Sequence, residues 1–583
     1  MHRFAPVAER AVQIFAILIG GVFLLSGVIY LYLGRVTCLF GGNFWSIYAF
    51  AWNHTWFQSA LLKQAGHVTF FPSLIGLANL HFFRGDAQML FFAGLGLLFI
   101  TVLLLLIPIW RDETISLTAK TLSTLVVLMG NFWMCRASIT ANGEFNCDTS
   151  LAMGGAALAF LLIAKTRCSW MVTAIVVCAG FLASFSFGTG LAIWPTLLLL
   201  AWCLRLPRRT IVLLGISALA AAIIYKMLPV LPSSYRLQKE SEASLGNPMG
   251  VLTEFCRLLG SPVLYTIAPW RKAKTLTELS QSFGIALSGM AALTLAGILV
   301  IPRVLRRDLG KSGLESTGLS LLIFNVFALT LITVGRSISF NLAPIAPRYL
   351  FWSSLFWTSL ILLGIKRADR LQWGRWPVIL LPFAIAILVW PAHYQAWFWC
   401  KNAQVLYDED AIALINGAVD AQRIQTLPPQ FKQIFRERVL LASQVRARRL
   451  DVFADGLQDW VGLREADVFG ARNKREGLSG QCSIDALGQC DNGAPAARVS
   501  GRALKHERSV PWTLVIADSN GVIRGVARSA RLNPFVNRTF YQGKLTAEIG
   551  FVGYIRDYNP ELRYVVRSAD NLTLSDEEIP VQH

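Results

Sequence analysis

The chain has 583 residues, of which 54% are apolar and only 15% charged, with a formal net charge of +19. That balance excludes an ordinary soluble globular protein and points to a chain whose solvent is largely lipid. The charge excludes less than it first suggests: beyond residue 392 there are 24 Lys/Arg against 22 Asp/Glu, so +2 belongs to the tail and +17 to the apolar part. A basic excess held between apolar runs is a topology signal and not a nucleic-acid footprint.

Eleven apolar runs follow one another, near 11–34, 88–110, 119–135, 149–164, 169–186, 189–203, 210–229, 281–302, 316–335, 349–365 and 376–392. A hydrocarbon layer needs about 20 apolar residues per helix. Backbone amides inside it must be bonded within their own segment, and the runs lack the alternation of barrel strands, so eleven transmembrane helices are expected. The first run follows Arg3 and Arg10 but is too long for a cleaved signal and reads as a retained anchor.

The gaps alternate in basic density by more than threefold, with clusters such as Arg205, Arg208, Arg209 and Arg303, Arg306, Arg307, Lys311 on one side. The positive-inside rule places those gaps and the N-terminus in the cytoplasm. An odd number of spans then puts the tail on the outer face, which in a Gram-negative cell is the periplasm. The resulting division is a transmembrane domain over 1–392 with long outer loops at 35–87 and 226–280, an extracytoplasmic helical segment over 393–480, and a β-sandwich over 481–583.

The loop 35–87 is itself semi-apolar and reads as amphipathic helices on the outer lipid surface, with Trp45, Trp52 and Trp56 at headgroup depth. It carries His54, His67 and His81, whose spacings match no metal-ligand pattern, and one acid, Asp86. The loop 226–280 carries Glu240, Glu242, Glu254 and Glu278 and is long enough to fold over a cavity. Glu144 and Asp148 lie in NGEFNCDTS at the mouth of the fourth span. A transferase needs a titratable base within reach of its acceptor hydroxyl, which makes Glu144, Asp148, Asp86 and His54 the candidates.

Arg336 ends one span and Arg348, followed by Tyr349, begins the next, in GRSISFNLAPIAPRY. Two guanidinium forks at headgroup level suit a lipid-linked phosphate, and they equally suit snorkelling at a membrane boundary. Both readings stay open on the residues alone. The connection SFSFGTGLAIWP at 184–195 is tight, with Gly188 and Gly190 allowing close backbone approach.

After residue 392, apolar residues in 3.6-residue rhythm between Phe431 and Val445 predict amphipathic helices. The triplet Asp408-Glu409-Asp410 resembles a metal-binding DxD but is expected as a solvated acidic face. From about 496 the alternating stretches ARVSGRAL, WTLVIADSNGVIRGVARS with an Asn520-Gly521 turn, KLTAEIGFVGYIRD and ELRYVVRSA predict strands. Cys482 and Cys490 in QCSIDALGQC are disulfide candidates in an exported domain, and Cys135 with Cys147 is a second pair. There is no P-loop, dinucleotide fingerprint or nucleophile elbow.

The stretches WNHTWFQSALL, FSFGTGLAIWP, the GR…PRY hairpin, LPPQF with RRLDVFADG, and the C…C segment followed by VSGRAL resemble, in order, the GT-C superfamily of membrane glycosyltransferases. The resemblance is to a bacterial group of that superfamily with a periplasmic C-terminal β-domain. It implies an inner-membrane enzyme moving a sugar from a polyprenyl-phosphate donor to a surface glycan, lipid or exported protein, with no cofactor and no indicated metal. It also implies a catalytic acid in the first outer loop. The matching position here is Asn53, followed by His54, and an amide accepts no proton at neutral pH, so the role would pass to Asp86, Glu144 or Asp148. A flippase for lipid-linked glycan would show paired interrupted helices, which the sequence lacks. A non-catalytic scaffold displaying the β-domain is the remaining alternative.

Overall fold

A computed structural model describes residues 5–38, 44–64, 66–164, 169–230, 248–267, 278–308, 312–342, 347–370, 376–420, 441–469, 478–505, 513–531, 550–569 and 573–582. The chain is a helical multi-pass membrane protein with a β-rich C-terminal region. It divides into two compact units, Met1–Arg35 with His54–Leu77 and Met89–Lys401, and Val36–Asn53 with Ala78–Gln88 and Asn402–His583.

The principal helices in chain order are α1 (Ala5–Leu33), α2 (Phe44–Ala51), α3 (Trp56–Ala60), α4 (Phe70–Phe83), α5 (Ala87–Trp110), α6 (Leu117–Phe132), α7 (Ala137–Thr140), α8 (Gly143–Ile163), α9 (Trp170–Ser184), α10 (Ile193–Cys203), α11 (Arg208–Met227), α12 (Pro248–Ile267), α13 (Phe283–Arg306), α14 (Gly313–Leu342), α15 (Leu350–Asp369) and α16 (Trp376–Ile415). Eight of the described helices contain a stretch long and apolar enough to cross a membrane: α1, α5, α8, α11, α13, α14, α15 and α16. Each of the other three expected spans falls on a shorter helix, α6, α9 or α10. Part of each run is spent on a 3-10 turn or a connection.

Within the first unit α15 and α8 are the most enclosed spans, whereas α11 and α13 turn Val212, Ile216, Leu219, Leu295 and Ile298 outward, the surface that lipid covers. Contact is closest where glycine removes the side chain. A Cβ on Gly289 of α13 would stand 1.8 Å from the Cys256 carbonyl of α12, so the two helices touch backbone to backbone. The described part of the 226–280 gap is therefore mostly a helix packed on α13, α14 and α15. Glu254 on it is buried and paired with Arg257 one turn on. Glu240 and Glu242 lie outside the described residues, and Glu278 is exposed.

In the second unit the strands are β3 (Ala418–Val419), β4 (Leu478–Cys490), β5 (Pro495–Lys505), β6 (Thr513–Asp518), β7 (Ile523–Arg531), β8 (Gly550–Arg556), β9 (Tyr564–Ser568) and β10 (Ile579–Gln582); the two-residue strands β1 (Lys63–Gln64) and β2 (His67–Val68) form a hairpin in the first unit. The expected β-domain is one sheet in the order β10-β9-β6-β7-β8-β5-β4-β3, and β10 also pairs in parallel with β4, so seven strands close on themselves. Closure leaves few open edges, and Val499, Leu514, Ile516, Phe551, Ile555 and Val566 fill the interior. The β6–β7 turn is the expected Asn520-Gly521 reversal, with Gly521 at φ +70 and the Asp518 carboxylate accepting the N–H groups of Asn520 and Val522. Of the helical rhythm expected between Phe431 and Val445, residues 441–447 are helical and 421–440 lie outside the described residues.

Two expectations are corrected. Cys482 and Cys490 are both free and stand eight residues apart on the single strand β4. At about 3.3 Å per residue that is about 26 Å, far beyond the reach of a disulfide. Two residues of the acidic triplet are also not solvated: Asp408 and Glu409 are each 9% exposed on α16, and Thr37 donates its hydroxyl to Asp408, while Asp410 is half-buried.

Candidate active site

The segment between α6 and α8 turns sharply. Trp133 leaves the helix in an extended conformation, Met134–Arg136 form a 3-10 turn, α7 follows, and Asn142 caps α8 by accepting the Glu144 N–H at 3.0 Å. Gly143 is required where α8 begins, because a Cβ there would lie 2.4 Å from the Phe91 backbone nitrogen of α5. The first turn of α8 is thus pressed against α5, and its next residues are polar yet enclosed.

Glu144 and Asp148 are four residues apart, so they share one face of α8, and each is 5% exposed. Glu144 stands in the first turn, where the helix dipole favours a negative charge. Between and after them Asn146 accepts the Ser150 hydroxyl at 3.0 Å, and the Ser150 carbonyl accepts Thr101 of α5 at 3.0 Å. A carboxylate held in such a screened polar strip can take a proton from an acceptor hydroxyl.

The same region gathers arginines. The 3-10 turn Pro347–Tyr349, which carries Arg348, packs against both the Met134–Arg136 turn and α7, and α7 packs against α8. Arg348 is exposed, its guanidinium 5.1 Å from the ring of Tyr349, which is itself buried. The turn bearing Arg348 and Tyr349 is therefore joined, through α7, to the start of the helix that bears Glu144 and Asp148. Arg336 lies within α14, six residues before its end, and its side chain is outside the described residues.

The other candidates have local duties. Asp86 is exposed and accepts the Gln88 N–H at 2.8 Å as α5 begins. His54 is exposed just ahead of Thr55, which caps α3 in a capping box with Gln58. Asn53 donates its N–H to the Phe50 carbonyl at 3.2 Å. Cys135 directs its thiol at the carbonyls of Ala392 and Tyr265, Cys147 directs its own at Leu90, and neither is bridged. Among the described residues no three His, Cys, Asp or Glu side chains converge as metal ligands would.

Two residues of this region escape sequence reasoning. Arg136 is buried against Phe351 of α15, and the Met134 N–H beside it is donated to His393 of α16. The available signals were slight: Arg136 is the single basic residue between the third and fourth apolar runs, and His393 directly follows the last run.

No family model matches the chain, and no curated protein matches it in sequence. Among solved structures it is similar to the archaeal oligosaccharyltransferase AglB from Archaeoglobus fulgidus, determined in complex with an inhibitory peptide and a dolichol-phosphate. The identity is 12% and the TM-score 0.36, over 75% of this chain and 60% of that one. The chain thus matches less than two thirds of that structure's length.

Proposed function

We propose that this chain is a membrane glycosyltransferase that moves a sugar from a polyprenyl-phosphate donor to a glycan, lipid or exported protein. The observation that carries the reading is the packing of the Pro347–Tyr349 turn on α7, beside the buried acid pair that opens α8. Glu144 or Asp148 takes the proton of the acceptor hydroxyl, and the freed oxygen attacks the anomeric carbon from the face opposite the phosphate. The glycosyl–oxygen bond to phosphate breaks as the new one forms, which inverts the configuration. Phosphate leaves without needing a proton, and Arg348, with Arg336, holds its charge.

On this reading the acid pair and Arg348 face the periplasm of a bacterial inner membrane, with the N-terminus cytoplasmic and the β-domain outside. The alternation of basic gaps along the sequence supports that orientation. Transfer from short-chain polyprenyl-phosphate sugars by the purified chain tests the proposal, with Arg348→Ala expected to lower turnover. A chain that moves the lipid across a bilayer without cleaving it is a flippase and contradicts the reading.

A further inference from the structure

Arg136 is 1% exposed and has no ion-pair partner among the described residues. Its Nη1 donates to the Gly130 carbonyl at 3.1 Å, while Nε and Nη2 have no acceptor among the described residues. The guanidinium lies 4.2 Å from the centre of the Phe351 ring. Withdrawing such an ion from water is costly, and a ring face returns only part of that cost. A charge kept at that cost among membrane helices points to a ligand of opposite sign.

The unpaired atoms also say what kind. Nε and Nη2 form one edge of the guanidinium fork, the edge that meets two oxygens of a phosphate side by side. The turn that bears Arg136 packs on the turn that bears Arg348, so a second cation belongs to the same region. Glu254 and Glu315, two of the buried acids of the helical unit, already serve Arg257, Arg303 and Arg370.

We infer that Arg136 is an anion-binding residue whose Nε–Nη2 edge takes two oxygens of a phosphate monoester, as a lipid headgroup or as free phosphate. Identifying that phosphate with the polyprenyl carrier rests on the function proposed above. Occupancy requires the covering side chains to move aside, and Arg348 then supplies the outer charge.

The test is binding to the purified full-length chain in nanodiscs, read by thermal shift with short-chain polyprenyl phosphate, the matching polyprenol and inorganic phosphate. The wild type is expected to be stabilised by the phosphate and not by the alcohol. Response to polyprenyl phosphate alone assigns the site to a lipid headgroup, and equal response to inorganic phosphate assigns it to the free ion. Arg136→Met is expected to weaken phosphate binding about tenfold or more, and Arg136→Lys, which keeps the charge but loses the fork, to fall between. A folded Arg136→Met that binds like the wild type overturns the inference. Should that variant not fold, an unchanged affinity in Arg136→Lys overturns it instead. Binding is read without turnover, so a chain that holds phosphate through Arg136 yet transfers no sugar sinks only the transferase reading. One that transfers sugar while Arg136→Met binds normally sinks only this inference.

Discussion

Nδ1 of His393 accepts the backbone N–H of Met134 at 3.1 Å. Because that nitrogen accepts, the ring proton is on Nε2, which donates to Ser26 Oγ at 3.0 Å, and Ser26 donates in turn to the Val22 carbonyl. One fully buried imidazole therefore ties α1 and α16 to the turn that presents Arg136. His393→Ala leaves the Met134 N–H unanswered and a cavity among Phe23, Tyr30 and Trp390. The expected cost is about 2–4 kcal/mol, seen as a lower unfolding midpoint in detergent. An unchanged midpoint would show that the tie carries no weight.

The start of α8 depends on Gly143. Gly143→Ala forces a Cβ into the α5 backbone and is expected to cost about 1–3 kcal/mol while shifting Glu144. Gly215→Ala on α11, where nothing lies within 4 Å, is the control and should be neutral or slightly stabilising. Equal melting temperatures for the two variants would contradict the close packing.

Asp112, in the connection between α5 and α6, gives the helical unit an acid-sensitive point. Burial alone would raise its pKa, but hydrogen bonds from Ser312, the Thr114 hydroxyl and the N–H groups of Thr114 and Leu314 together bring it down to about 2. A folded pKa below the unfolded value of 3.8 means that the stabilisation is complete above pH 4 and drains away as pH falls toward 2. Asp112→Asn should be less stable than the wild type at pH 6, with the gap closing below pH 3. A gap that stays constant with pH would refute the assignment.

In the β-domain, Arg498 donates to Asp485 and Asp420, at 2.7 Å each, and Tyr554 donates to the same Asp420 at 3.1 Å. Burial works against the charge, but the Asp485 hydrogen bond and both carboxylates push the Arg498 pKa further up. Arg498→Met strands the buried Asp420 and is expected to cost about 3 kcal/mol; adding Asp420→Asn should recover part of it. Purely additive losses in that pair of variants would mean that the two side chains do not interact.

The parts of this molecule visible in the sequence were those with a period. Each expected span lands on a helix, because apolar runs bounded by arginines are read the same way by lipid and by eye. The Asn520-Gly521 reversal followed from the φ that only such residues adopt cheaply. What stayed hidden depended on contacts between distant segments. Nothing local distinguishes Cys482 and Cys490 in a loop from the same two residues on one long strand, and the pairing of β4 with β5 from Leu478 to Gln489 fixes which it is. Likewise α12 read as a loop because Glu254 and Arg257 interrupt its apolar pattern, although they neutralise each other in place. Arg136 and His393 were unreadable for the same reason, each answered from far along the chain or not at all.

The most direct test is single-turnover transfer from a polyprenyl-phosphate sugar by the wild type and by Glu144→Gln, Asp148→Asn and the double variant, all at matched folded concentration. Loss of the base should lower the rate of the double variant by about a hundredfold or more, with most of the loss in one of the two single changes. A double variant that transfers sugar at the wild-type rate would contradict the account.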